Sequence, residues 1–93
     1  MRRAARVDAN HAAIVGALRA CGAQVLSLAA VGNGVPDILA YHGGKLRLIE
    51  VKDGAKPPSE RALTAQQAIF HSLWPVTIVK SLEDAVAALG TKT

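Results

Sequence analysis

The stretch Val35-Pro36-Asp37-Ile38-Leu39-Ala40-Tyr41-His42-Gly43-Gly44-Lys45-Leu46-Arg47-Leu48-Ile49-Glu50-Val51-Lys52 constrains the fold more than any other part of the chain. Two short apolar runs flank His42-Gly43-Gly44-Lys45. Gly-Gly at the centre of such a pair predicts a two-residue hairpin turn, because both central residues can take positive φ. With Gly43-Gly44 as the turn, Asp37 falls opposite Glu50, Leu39 opposite Leu48, and Tyr41 opposite Leu46. Lys52 follows Glu50 by two positions and so shares its face.

Like charges directly opposite on a sheet destabilise it, and an Asp-Glu pair with Cβ atoms about 4.5–5.5 Å apart calls for a cation. Lys52 supplies one positive charge. A hard divalent ion, which takes carboxylate oxygens, neutralises the pair better. Acidic residues that hold Mg²⁺ beside a lysine that orients or deprotonates water form a phosphodiester-hydrolysing constellation. The plainer reading is a hairpin with a surface ion cluster in which Lys52 pairs Glu50. It leaves unexplained why the charges share a face with Leu39, Leu46 and Leu48, and why Pro36 precedes the aspartate.

Pro36-Asp37, twelve intervening residues, then Glu50-Val51-Lys52 resembles the PD-(D/E)xK nuclease signature. Gly34-Val35-Pro36-Asp37-Ile38 and Ile49-Glu50-Val51-Lys52 are most similar to the virus-type replication-repair nuclease (VRR-NUC) branch. Leu63-Thr64-Ala65-Gln66-Gln67 resembles that branch's Leu-Ser/Thr-x-x-Gln segment. The resemblance runs from about Asp8 to Leu89. It implies a restriction-endonuclease-like α/β sandwich with a mixed central sheet, in the order α-β-β-β-α-β-α. It also implies a Mg²⁺- or Mn²⁺-dependent DNA endonuclease. Asp37, Glu50 and the Val51 carbonyl would hold the metal, Lys52 would handle the attacking water, and Gln67, near the cluster, would complete the catalytic set. Stand-alone proteins of this kind look like phage or prophage enzymes, acting as homodimers on branched, Holliday-junction-like DNA in the cytoplasm of a bacterial host. One departure stands out. Relatives carry an acidic residue on the first helix facing the site, whereas here no glutamate precedes Glu50. Asp8, Asn10 and His11 are the candidates for that place, Asp8 as a further metal ligand or equally a helix cap, and Asn10 and His11 as nucleic-acid contacts.

Composition sets the bounds. Ninety-three residues make one small domain, residues 8–90 after a basic tail of residues 1–7. Hydrophobic residues are 51 % and aromatics 3 %, which suits tightly packed helices on a small sheet and does not suit a surface built to stack bases. A net charge of +4 is a mild excess that favours polyanions, nucleic acid first. One cysteine excludes an intrachain disulfide. No apolar run approaches the ~18–20 residues of a membrane span, and the basic start lacks the apolar segment of a signal peptide. An intracellular protein is the expectation.

Along the chain, Arg2, Arg3 and Arg6 form an end that touches phosphate or is simply solvated. Asp8 to Cys21 reads as a helix with Ile14, Val15, Leu18 and Cys21 on one side and Gly22 beyond its end. Cys21 reads as buried filler. Ala23 to Ala30 reads as a strand. Val31-Gly32-Asn33-Gly34 is a turn whose Asn33 and Gly34 also suit close approach of a nucleic-acid backbone. Both hairpin faces are apolar, which predicts a central strand pair in a sheet covered on both sides. Asp53 to Arg61 reads as a loop, with Lys56 a candidate phosphate contact. Thr64 caps a helix ending near Trp74, on which Gln67 can meet phosphate. Val76 to Val79 is a strand. Ser81 caps a last helix with Ala85, Val86 and Leu89 as its buried stripe and Gly90 at its end. Two other functions compete with the nuclease: a catalytically silent nucleic-acid-binding module, and a small protein-interaction subunit that keeps the charges as a structural ion cluster.

Overall fold

The computed structural model describes residues 10–90, so Arg2, Arg3, Arg6 and Asp8 lie outside the described residues. Eight elements follow in order: α1 (His11–Ala20), β1 (Gln24–Ser27), β2 (Ile38–His42), β3 (Lys45–Val51), α2 (Pro58–Arg61), α3 (Ala65–Leu73), β4 (Val76–Val79) and α4 (Leu82–Gly90). The sheet runs β1-β2-β3-β4, antiparallel except for the parallel pair β3-β4. This is an α/β fold on a mixed four-stranded sheet. Among the described residues no helix is long and apolar enough to cross a membrane.

The β2-β3 turn forms as its glycines dictate. Gly43 and Gly44 sit at φ 61° and 81°. Tyr41 then pairs Leu46, Leu39 pairs Leu48 and Ile38 pairs Ile49. The register therefore sets Asp37 opposite Glu50, one step past its last pair. Ile38, Ala40, Ile49, Val51 and Val79 face one side and are buried, and they pack against Ile14 and Leu18 of α1 and Ala85 and Leu89 of α4. Each fully buried Leu, Ile or Val contributes roughly 1.5–3 kcal/mol.

α1 ends in a Schellman motif: Gly22, at φ 94°, donates its N–H to the Arg19 carbonyl, and the Ala23 N–H reaches that of Leu18. Arg47, which interrupts the covered face, donates to the His42 carbonyl (2.8 Å) and to that of Leu89 (3.5 Å), placing a cation at the C-terminus of α4.

Several expectations are corrected. The sheet is not covered on both sides. β2 and β3 are central, but on the Asp37/Glu50 face Leu26, Tyr41 and Leu46 are 59 %, 48 % and 68 % exposed. α3, nine residues with none buried, reaches only the charged end of that face and is too short to cover the rest. Cys21 is exposed, because it falls at the C-cap past the buried stripe of α1. Val86 is 44 % exposed, outside the stripe of Ala85 and Leu89. β1 is four residues, shorter than the apolar run that suggested it. The Asp53–Arg61 loop contains α2, started by Pro58 at its first turn, where a proline's missing N–H costs nothing.

Candidate active site

Asp37 stands just ahead of β2, where the ladder has run out. Its Oδ2 accepts the Val51 N–H at 2.9 Å, so a side chain replaces the missing strand partner at the end of β3. Its carbonyl accepts the Leu28 N–H at 2.7 Å, which ties the site to the end of β1. Buried Pro36 precedes it.

Glu50 is 2 % exposed, a burial that a carboxylate tolerates only with charged or hydrogen-bonding partners. Its Oε2 accepts from Gln67 Nε2 at 3.1 Å and lies 3.8 Å from Lys52 Nζ. Lys52 is itself held at several points. Its N–H donates to the Val79 carbonyl (2.9 Å), its Nζ to Gln67 Oε1 (3.1 Å), and its carbonyl accepts from Asn10 Nδ2 (3.2 Å).

Gln67 joins these groups. It is the third residue of α3, and its Oε1 also accepts the Thr64 N–H at 2.9 Å while the Thr64 hydroxyl accepts the Gln67 N–H at 3.1 Å. This capping box satisfies the helix end. The same amide therefore caps α3 and bridges Lys52 to Glu50. Its orientation follows from its neighbours, since the oxygen meets two donors and the nitrogen meets a carboxylate. Gln67 acts on the cluster's other members and is a positioning residue.

Gly34 explains how α3 arrives there. It has φ 82°, and a Cβ on it would collide with the Gln66 carbonyl. This chain's own helix makes a close approach to Gly34, through the Gln66 carbonyl. Asn33, at φ 59°, is exposed in the same loop. Lys56 sits in the β3–α2 loop, where its N–H closes a turn on the Asp53 carbonyl at 3.1 Å.

Of the first-helix candidates, Asn10 reaches the site from behind. Its Nδ2 donates to the carbonyls of Lys52 and of Lys80 (3.3 Å), which fastens the start of α1 to the ends of β3 and β4. His11 buries its Nε2 with no hydrogen-bond partner among the described residues. His71 lies one turn beyond Gln67 on the same face of α3. Burial, and then the charge of Lys52, holds its pKa below the usual histidine value. Its i, i+4 spacing from Gln67 is the signal that points to it.

The structure thus gathers Asp37, Glu50, Val51, Lys52 and Gln67 at one end of the sheet, with Asn10 behind them. Among the described residues no third carboxylate, imidazole or thiolate joins Asp37 and Glu50. Two carboxylates still fit Mg²⁺, which is commonly bound through one or two carboxylates and keeps several waters. They do not fit zinc, which takes mostly nitrogen and sulfur ligands.

No protein-family model matches the chain, and neither a curated protein nor a solved structure matches it.

Proposed function

We propose that this chain is a divalent-metal-dependent nuclease of the PD-(D/E)xK type, VRR-NUC-like, with a restriction-endonuclease-like core. It would hydrolyse phosphodiester bonds in DNA, branched DNA first, as a phage- or prophage-encoded homodimer. The observation that carries the reading is the cluster that Gln67 of α3 completes with Asp37, Glu50 and Lys52, which flank or lie on a hairpin whose register turns both carboxylates to the same side.

Asp37 and Glu50, with the Val51 carbonyl, would hold Mg²⁺ or Mn²⁺. When bound, such an ion supplies Lewis acidity at phosphate and a source of hydroxide. The protein's own part is positional. Asp37 keeps one oxygen on the Val51 N–H, which fixes the other. Gln67 holds Lys52 Nζ at the edge of the carboxylates, where the ammonium donates to the attacking water or to the developing charge on phosphate. Burial of Glu50 keeps bulk water from competing at that carboxylate.

The test is a Mg²⁺/Mn²⁺-dependent cleavage assay on a four-way junction, a flap, a linear duplex and a single strand. Metal-dependent cutting that Lys52→Ala reduces on the order of 10²–10⁴-fold, with metal binding retained, is the expected result. Retained rate with lost Mg²⁺ affinity would reverse the role given to Lys52. One observation favours a silent binding module: the start of α1 presents Asn10, whose amide is committed to two backbone carbonyls. Such a module binds DNA without divalent ions and never cuts it.

A further inference from the structure

We propose that Trp74 is a stacking platform for an unpaired nucleobase of the strand whose phosphate lies at Lys52. The proposal deepens the nuclease reading and rests on it: it names unpaired bases beside the cut as the feature recognised.

The chain has one Trp, one Phe and one Tyr, too few for an extended stacking surface. The structure puts two of these rings together. Phe70 and Trp74 stack with centroids 5.4 Å apart and planes 10° from parallel. Phe70 backs the indole on one side, yet Trp74 remains 54 % exposed. A ring braced on one side and open to solvent is ready to take a second ring, with little side-chain freedom left to lose on binding. Alanine substitution at such base-stacking aromatics costs about 1–3 kcal/mol per base.

Its place relative to the cluster gives the ring a use. Gln67, Phe70, His71 and Trp74 recur at the three- and four-residue spacing that puts them on one side of α3. Gln67 touches Glu50 and Lys52 at one end of that side, and Trp74 caps the other end. Seven residues of helix span about 10 Å. A stacked strand advances about 3.4 Å per phosphate, so about three nucleotides cover the length of that side from the Lys52 end to the Trp74 end. α3, with sequence AQQAIFHSL, carries no acidic residue to repel a strand along the way, and Lys52 stands at its start. A paired base inside a duplex has no free face to offer the indole. An unpaired base in a flap or an overhang does.

Because Trp74 is the sole tryptophan, its emission reports on this ring alone. The experiment titrates the wild-type chain, with Ca²⁺ in place of Mg²⁺, with a single strand, a flapped duplex and a blunt duplex of the same sequence. The expected result is quenching by the single strand and the flap and none by the blunt duplex. Trp74→Ala is expected to weaken flap binding about 5- to 140-fold and leave blunt-duplex binding unchanged, while Trp74→Phe keeps most of the flap affinity. Should Trp74→Ala fail to fold, the wild-type titration and Trp74→Phe still decide. Unchanged emission at saturating flap would overturn the proposal, as would equal loss of flap and blunt-duplex binding. So would dissociation of an oligomer by Trp74→Ala in light scattering, which would assign the ring to a protein contact. The emission titration needs no cleavage. Quenching without any cutting in Mg²⁺ sinks the nuclease reading alone, and cutting without quenching sinks this proposal alone.

Discussion

Asp37 is a structural group as well as a candidate ligand, and the two roles separate by substitution. Asp37→Ala leaves the Val51 N–H without its acceptor at a strand end, a loss of about 1–3 kcal/mol. Asp37→Asn keeps an acceptor oxygen and removes the charge. We expect both to abolish metal-dependent cleavage, with only the alanine variant clearly lowering Tm; wild-type turnover in either would sink the site assignment. Glu50→Ala is expected to abolish cleavage too, while leaving Lys52 and Gln67 without their shared partner. His71 adds a pH dependence. Burial first, and then the charge of Lys52, lowers its folded-state pKa below the ordinary value of 6.5. The unfolded chain therefore binds more protons between the two values, and stability falls as pH drops below about 6.5. His71→Leu should flatten the Tm–pH curve in that window, and an unchanged slope would remove His71 from the account. Asp37, Glu50 and Lys52 were legible in the sequence because a Gly-Gly turn fixes the register, and register fixes which side chains meet. His71 was not, since its neighbours depend on where α3 lands, and no local pattern encodes that.

The site depends on α3, an element with no side chain buried in the core. The helix carries Gln67 against Glu50 and Lys52. Its N-terminus is fixed by the capping box with Thr64 and by the close seat of Gln66 on Gly34. Thr64→Ala removes the cap at a cost of about 1 kcal/mol and lets the Gln67 side chain drift. The expected outcome is a small fall in Tm with a much larger fall in kcat, and equal modest losses in both would make the cap merely structural. Gly34→Ala adds strain at φ 82° and pushes the Gln66 carbonyl away. It should lower both Tm and cleavage, and an unperturbed Tm would show that the loop yields instead. The helices α1, α3 and α4 were legible from apolar spacing, from the Thr64 and Ser81 caps and from Gly22 beyond α1, as was β4; α1 starts at His11 after Asn10, whose side chain makes no cap bond. The one-turn α2 was not, because Lys56-Pro57-Pro58-Ser59 has the composition of a loop and only Pro58 at the first helical position marks the turn. The bare sheet face was not legible either. Apolar residues at alternate positions say that a face wants cover, and they do not say whether this chain supplies it.

At the scale of the whole molecule, that bare face is the argument for a second copy. Leu26, Leu39, Tyr41 and Leu46 line a groove of about 270 Å³ together with Gln24 and Val25. They lie across the β1-β2-β3 registers, so they form one surface. The largest apolar patch on a typical monomer is about 300–600 Å², and patches beyond that range mark interfaces. Ile69 and Leu73, 62 % and 74 % exposed on α3, add to the apolar surface the molecule leaves open. A stable interface needs about 800 Å² from each partner. α1 is excluded on its apolar side, because Ile14 and Leu18 are fully buried in this chain's own core. The edge of β4 remains open to pairing, but the apolar area lies on the sheet face. A two-fold contact there needs one repeated patch and gives two sites, the arrangement for cutting both strands of a branched substrate. We expect the wild-type chain to scatter light as a dimer at micromolar concentration, and Leu46→Glu, which sets like charges against each other across the two-fold, to scatter as a monomer that remains folded. Paired incisions in a four-way junction should then give way to single nicks. A strict wild-type monomer that still resolves junctions by paired incisions would defeat the dimer. A monomer that nicks only flaps would move the substrate from junctions to flaps and leave the chemistry of Asp37, Glu50 and Lys52 standing.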